Sequence, residues 1–158
     1  MSTPEELSRL ERAVQSNPHD AKLRYLLGAE LAQHQQYPRA VAEMKEALVQ
    51  MPDLHTARLQ LGLLLLTLGQ PAAAMAVWSS LERLPEGSPL RMFKQGLEAL
   101  IRDDFNECIR FIEAGILRNS ENAPLNHDMR LIVDKASATL RAAPPSEGVR
   151  TDFSLYEQ

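Results

Sequence analysis

The chain has 158 residues with a formal net charge of −4, and 44% of it is apolar and 24% charged, enough to bury a core and too apolar for wholesale disorder. Leu and Ala together fill 44 positions while aromatics make up only 5%, a bias toward strong helix formers that excludes an all-β fold. A mildly acidic chain offers no positive field to a polyanion, which argues against nucleic acid or an anionic membrane surface as its main partner.

In chain order, MSTPEELSRLERAVQ carries acids where a signal peptide needs Lys or Arg, so no export is expected. Running the repeat that follows backwards predicts a helix over 4–16. From there the sequence repeats. Gly28, Gly62 and Gly96 are each 34 residues apart, as are Pro4 with Pro38 and Pro18 with Pro52, and Pro71 and Pro85 fall one residue early of the next places. Small residues keep the same interval at Ala40, Ala74 and Cys108, and again at Ala13, Ala47 and Gly115, with Leu81 the large exception. Within a period the apolar spacing is helical twice over, as in Leu23, Leu26, Leu27 and Leu31, then Val41, Met44, Ala47 and Leu48. Each repeat is therefore two helices. Prolines mark their boundaries, and Gly28 and Ala40 let the two helices cross closely. The longest apolar run, Leu61 to Leu68, is interrupted by Gly62 and Thr67 and falls well short of the ~20 residues that span a bilayer. A further helix is predicted over 123–141, and Pro144-Pro145 end it before a tail that holds Val149, Phe153, Leu155 and Tyr156.

These residues resemble the tetratricopeptide repeat family, whose unit is a helix-turn-helix with a Leu-Gly pair, a later Ala, a large apolar residue and a closing Pro. Repeat 21–54 shows Leu27-Gly28, Leu31, Ala40, Met44, Ala47 and Pro52; repeat 55–88 shows Leu61-Gly62, Leu65, Ala74 and Trp78; repeat 89–122 keeps Gly96, Phe105 and Ile112 but has Gln95 and Cys108 at family positions. The aromatic that usually opens the first helix is replaced by Arg24, Arg58 and Met92. The resemblance implies an all-α fold, a right-handed α-solenoid of three helix pairs with an extra N-terminal helix and a C-terminal capping helix, together forming a domain over 1–142. Extending the period outward puts Glu6 where a small residue would face a partner, and Arg130 where the glycine would stand. No helix is expected to approach there, and charge suits an end cap.

No catalytic pattern stands out. His19, His34, His55 and His127 read as exposed helix-end residues, Asp103-Asp104 as a helix cap, and Cys108 as an inert buried thiol. A lone cysteine permits neither an intramolecular disulfide nor a cysteine-based zinc site, which suits a reducing cytoplasm. The expectation is a non-enzyme with no metal and no cofactor.

In the family the first helices line a concave channel that receives a peptide or helix. Carried over, that register selects Lys22, Tyr25, Ala29, Ala32 and Gln33; Thr56, Leu59, Gln60, Leu63, Leu66 and Thr67; and Leu90, Phe93, Lys94, Leu97, Leu100 and Ile101. The last two sets are mostly apolar, and left open they would form a patch that soluble monomers seldom tolerate. The family's carboxylate clamp is reduced to Lys94 and, weakly, Gln60, since Tyr25, Ala29 and Leu90 stand at clamp positions. The expectation is an adaptor that binds an apolar or amphipathic peptide or helix. Two alternatives are a homo-oligomeric scaffold that associates through groove or tail, and a substrate holder like the bacterial secretion chaperones of similar architecture. The tail, with Phe153, Leu155 and Tyr156, is expected to dock in a channel or on a partner.

Overall fold

A computed structural model describes residues 3–142, and every regular element among them is helical. In order these are α1 (Pro4–Ser16), α2 (Ala21–Gln33), α3 (Tyr37–Gln50), α4 (His55–Thr67), α5 (Pro71–Trp78), a 3₁₀ segment (Ser79–Arg83), α6 (Pro89–Ile101), α7 (Phe105–Arg118) and α8 (Ala123–Ala142). The period is visible in the backbone: α2, α4 and α6 begin at 21, 55 and 89 and each runs 13 residues, while α3, α5 and α7 begin at 37, 71 and 105.

The turn inside each pair recurs bond for bond. Gln35, Gly69 and Asp103 take φ of 60°, 75° and 58°. Their amides donate to Ala32, Leu66 and Leu100 at 3.0 Å, and the next amides, of Gln36, Gln70 and Asp104, donate to Leu31, Leu65 and Ala99 at 2.9 Å. This is the paired 6→1 and 5→2 bonding of a Schellman turn, which satisfies carbonyls left over at the helix end. At the N-termini, Thr3, Asp20 and Asp104 accept from the amides of Glu6, Leu23 and Glu107 at 3.1, 3.1 and 3.3 Å. Asp104 is thus a cap, as its place in the sequence suggested.

The chain divides into two compact units, one ending at Val77 and the other beginning at Trp78. In the N-terminal unit α2 packs against α1 and α3, and α3 against α4. Gly28 lies where α2 meets α3: a Cβ there would stand 2.8 Å from Met44 Cγ and 3.2 Å from the Ala40 carbonyl. In the C-terminal unit α6 packs on α7 and α7 on α8. A Cβ on Gly96 would stand 2.5 Å from Ile112 Cγ1 and 3.1 Å from the Cys108 carbonyl. Gly96, Cys108 and Ile112 are Gly28, Ala40 and Met44 moved on by two periods, so the same crossing is built twice. Met44 and Ile112 are both fully buried, each worth about 1.5–3 kcal/mol of transfer free energy.

Two local features depart from the pattern. α5 has only 8 residues before the chain tightens into the 3₁₀ segment. Pro85 arrives a residue early, Ser79 and Ser80 are weak helix formers, and a 3₁₀ coil rises about 2.0 Å per residue against 1.5 Å in an α-helix. Fewer residues therefore cover the same length. The missing aromatics are replaced by hydrogen bonds. Arg24 Nε donates to the Pro18 carbonyl at 2.8 Å and Arg58 Nη2 to the Pro52 carbonyl at 2.9 Å, tying each first helix to the loop before it. In the third repeat Arg91, beside Met92, donates from Nη1 to the Leu84 carbonyl at 3.1 Å.

Candidate functional site

Many of the residues proposed to line an open channel lie inside the protein. On α4, Leu59, Gln60 and Leu63 are buried, and on α6 so are Phe93, Lys94, Leu97 and Leu100. Tyr25, Leu66 and Ile101 are half-buried. Leu59, Phe93 and Leu97 are 0% exposed, so the exposed greasy patch expected at these positions is absent. The periodicity gave the direction each side chain leaves its helix, but not what covers it. From Ala57 to Leu65 only Arg58 on α4 is not buried. Phe93 shows the reason on α6. A Cβ on Gly115 would come within 2.5 Å of Phe93 Cε1, so the ring rests on α7 in a space that only glycine leaves open. Phe93 is a core residue of its own helix pair.

Lys94 is equally committed. Its ammonium lies 2.6 Å from Glu82 Oε2 and 2.6 Å from Glu98 Oε1, and Arg91 Nη2 reaches Glu82 Oε1 at 3.0 Å. Burial works against the charge, but hydrogen bonds to the two carboxylates outweigh it and raise the Lys94 pKa. The hydrogen bond from Lys94, with help from Arg91, lowers that of Glu82. Lys94 is neutralised within its own chain and does not present a clamp to a ligand carboxylate.

Cys108 is fully buried, and desolvation, with the Asp104 charge adding, pushes its thiol up to about 12. It stays protonated at neutral pH and is a packing residue rather than a nucleophile. His19 and His127 are exposed, but His34 and His55 are half-buried, and His34 Nε2 lies 3.5 Å from Glu30 Oε1. Among the described residues no three His, Cys, Asp or Glu side chains are grouped to hold a metal ion. The tail residues Phe153, Leu155 and Tyr156 lie outside the described residues.

Sequence reasoning missed two polar features of the C-terminal unit. Asn126 is buried, with Nδ2 donating to the Asn119 carbonyl at 2.7 Å and Oδ1 accepting from Asn119 Nδ2 at 3.0 Å, which fixes the start of α8 to the end of α7. Asp128 is half-buried, and desolvation pushes its carboxyl up to about 6 against a small opposing effect of His127. An Asn seven residues from another, across a helix junction, was the available signal for the first. Nothing in the sequence pointed to the second.

Among the described residues, two of the open concavities stand out. One, of about 610 Å³, lies over the α1–α2 loop and the end of α3 and includes His19, Asp20, Lys22 and Gln50. The other, of about 450 Å³, lies between α7 and α8 and is lined by Glu113, Ile116, Leu117, Arg130, Val133 and Asp134. No helix among the described residues is long and apolar enough to cross a membrane. A scan against protein-family models finds no match for this chain, and a comparison with curated proteins finds none.

Proposed function

We propose that this chain is an α-solenoid of three tetratricopeptide-type helix pairs that acts as a cytoplasmic adaptor, binding another polypeptide rather than catalysing a reaction. The observation that carries the reading is the recurrence of one turn, with the same positive φ and the same two hydrogen bonds, at Gln35, Gly69 and Asp103. The glycine crossings at Gly28 and Gly96 support it. A repeated helix pair presents its first helices at regular intervals, a surface suited to an extended or helical peptide. With Leu59, Leu63, Phe93 and Leu97 buried, the contact passes to the side chains still partly open on those helices, chiefly Tyr25, Leu66 and Ile101. On α2, half-buried Tyr25 with the exposed Lys22 and Gln33 mixes apolar and polar character, which favours an amphipathic peptide.

The test is affinity capture from the native host by the full chain, beside Leu66→Glu and Tyr25→Ala variants, with circular dichroism as the folding control. The expected result is a partner retained by the parent chain and lost from both variants at unchanged helicity. Equal retention by all three proteins, or none by the parent, would overturn the reading.

A further inference from the structure

In each of the two glycine crossings the face of the first helix that carries the glycine is covered by the helix that follows. Gly28 is covered by Met44 and Ala40 of α3, and Gly96 by Ile112 and Cys108 of α7. One period beyond Gly96, the same place on α8 is Arg130, and Val133 stands where Leu31 and Ala99 stand in α2 and α6. Leu31 and Ala99 are 0% exposed, whereas Val133 is half-buried and Arg130 is exposed. The concavity of about 450 Å³ between α7 and α8 is lined by this face of α8 and by Glu113, Ile116 and Leu117 of α7. Among the described residues no helix fills this seat, and Arg130, standing where a close crossing would need glycine, leaves room only for a looser contact than those at Gly28 and Gly96.

The chain does not turn back over this seat where the repeats would have it do so. α2, α4 and α6 stop after 13 residues, but α8 runs on for 20, straight through the positions where a Schellman turn would fall. What remains is an unusual mixture. Leu117 is 88% exposed, beside half-buried Ile116 and Val133. Around them stand Glu113, Arg130 and Asp134, all exposed, and none of the three enters a side-chain hydrogen bond or ion pair among the described residues. An apolar knob, a groove beside it, and charges of both signs make a self-complementary surface.

We propose that this seat is filled by α8 of a second copy, in a two-fold symmetric dimer. Arg130 and Asp134 are one helical turn apart. When two α8 helices cross antiparallel about an axis between these residues, Arg130 of each copy meets Asp134 of the other. Leu117 of each then enters the groove beside Val133, where its apolar surface leaves water. Acids alone would repel a second copy, and a purely apolar seat would not fix the crossing. The inference rests on the repeat register and not on the peptide-binding reading, which would stand if the protein were a monomer.

Sedimentation equilibrium of the full chain over a wide concentration range tests it. The expected result is a monomer–dimer equilibrium whose dissociation constant rises at least about tenfold in Leu117→Glu and in Arg130→Glu, with circular dichroism unchanged. The double reversal Arg130→Glu with Asp134→Arg restores dimerisation, because the swapped charges still meet across the axis. A monomer at every concentration, or a dimer indifferent to Leu117→Glu and to charge reversal, would overturn the proposal. So would a monomer that dimerises only once residues 143–158 are removed, since the protein's own C-terminal segment would then be the occupant.

Discussion

Three residues hold the same left-handed turn with three different side chains, so the turn is its own control. Gly69 has no Cβ to clash at φ 75°, whereas Gln35 adopts φ 60° with one, at a cost of roughly 1–2 kcal/mol. Gly69→Ala should lower the unfolding free energy by about 1 kcal/mol, and Gln35→Gly should raise it by about 0.5 kcal/mol after the entropy glycine adds to the unfolded chain. Denaturant titration followed by circular dichroism measures both. Asp128 makes the residue-scale prediction for pH. Burial raises its carboxyl from 3.8 to about 6 in the folded protein, so between these values the folded state binds the extra proton. The contribution of Asp128 to stability is therefore fully present below pH about 4, falls as pH rises, and is lost above about 6. Asp128→Asn should flatten that fall and raise stability at neutral pH by on the order of 2 kcal/mol, read from unfolding midpoints across the range.

Helices and their crossings were the most legible part of the sequence. The N-terminal helix was expected at 4–16 and is found at Pro4–Ser16, and the last was expected from 123 and begins at Ala123. Prolines, glycines and small residues carry this information because each marks a backbone constraint that acts locally: a missing donor, a left-handed turn, a close approach. The shortening of α5 was not foreseen, since α5 and α6 begin in register with the other repeats and only the early Pro85 marked the place where the chain tightens into a 3₁₀ segment. Phe93 was misplaced for a related reason: Gly115 was read only as a small residue keeping the interval, when it makes room for the Phe93 ring. Phe93→Ala should accordingly cost about 3–5 kcal/mol of stability instead of simply loosening a ligand, and Gly96→Val should cost about 1–3 kcal/mol by driving a side chain into Ile112. Both are measured by equilibrium unfolding, and a stable Phe93→Ala would return that residue to a binding face.

Over the whole molecule the sequence specified how often a pattern recurs better than which surfaces stay open. Composition excluded an all-β fold, and the spacing of glycines located the crossings of α2 with α3 and of α6 with α7. What covers Leu59, Leu63 and Leu97 depends on how α4 packs with α3 and α6 with α7, which periodicity alone does not encode. The surviving candidates for recognition are consequently smaller and more mixed in character: the half-buried Tyr25 and Leu66 in the N-terminal unit, Ile101 in the C-terminal unit, and the concavity between α7 and α8. The central claim is that the interval of 34 residues places equivalent side chains in equivalent contacts. Nuclear Overhauser spectroscopy on the methyl-labelled protein tests it most directly. The expected result is a strong contact from the Gly28 α-protons to the Met44 methyl, together with its counterpart from the Gly96 α-protons to the Ile112 methyls. Finding one of these contacts without the other would contradict the account.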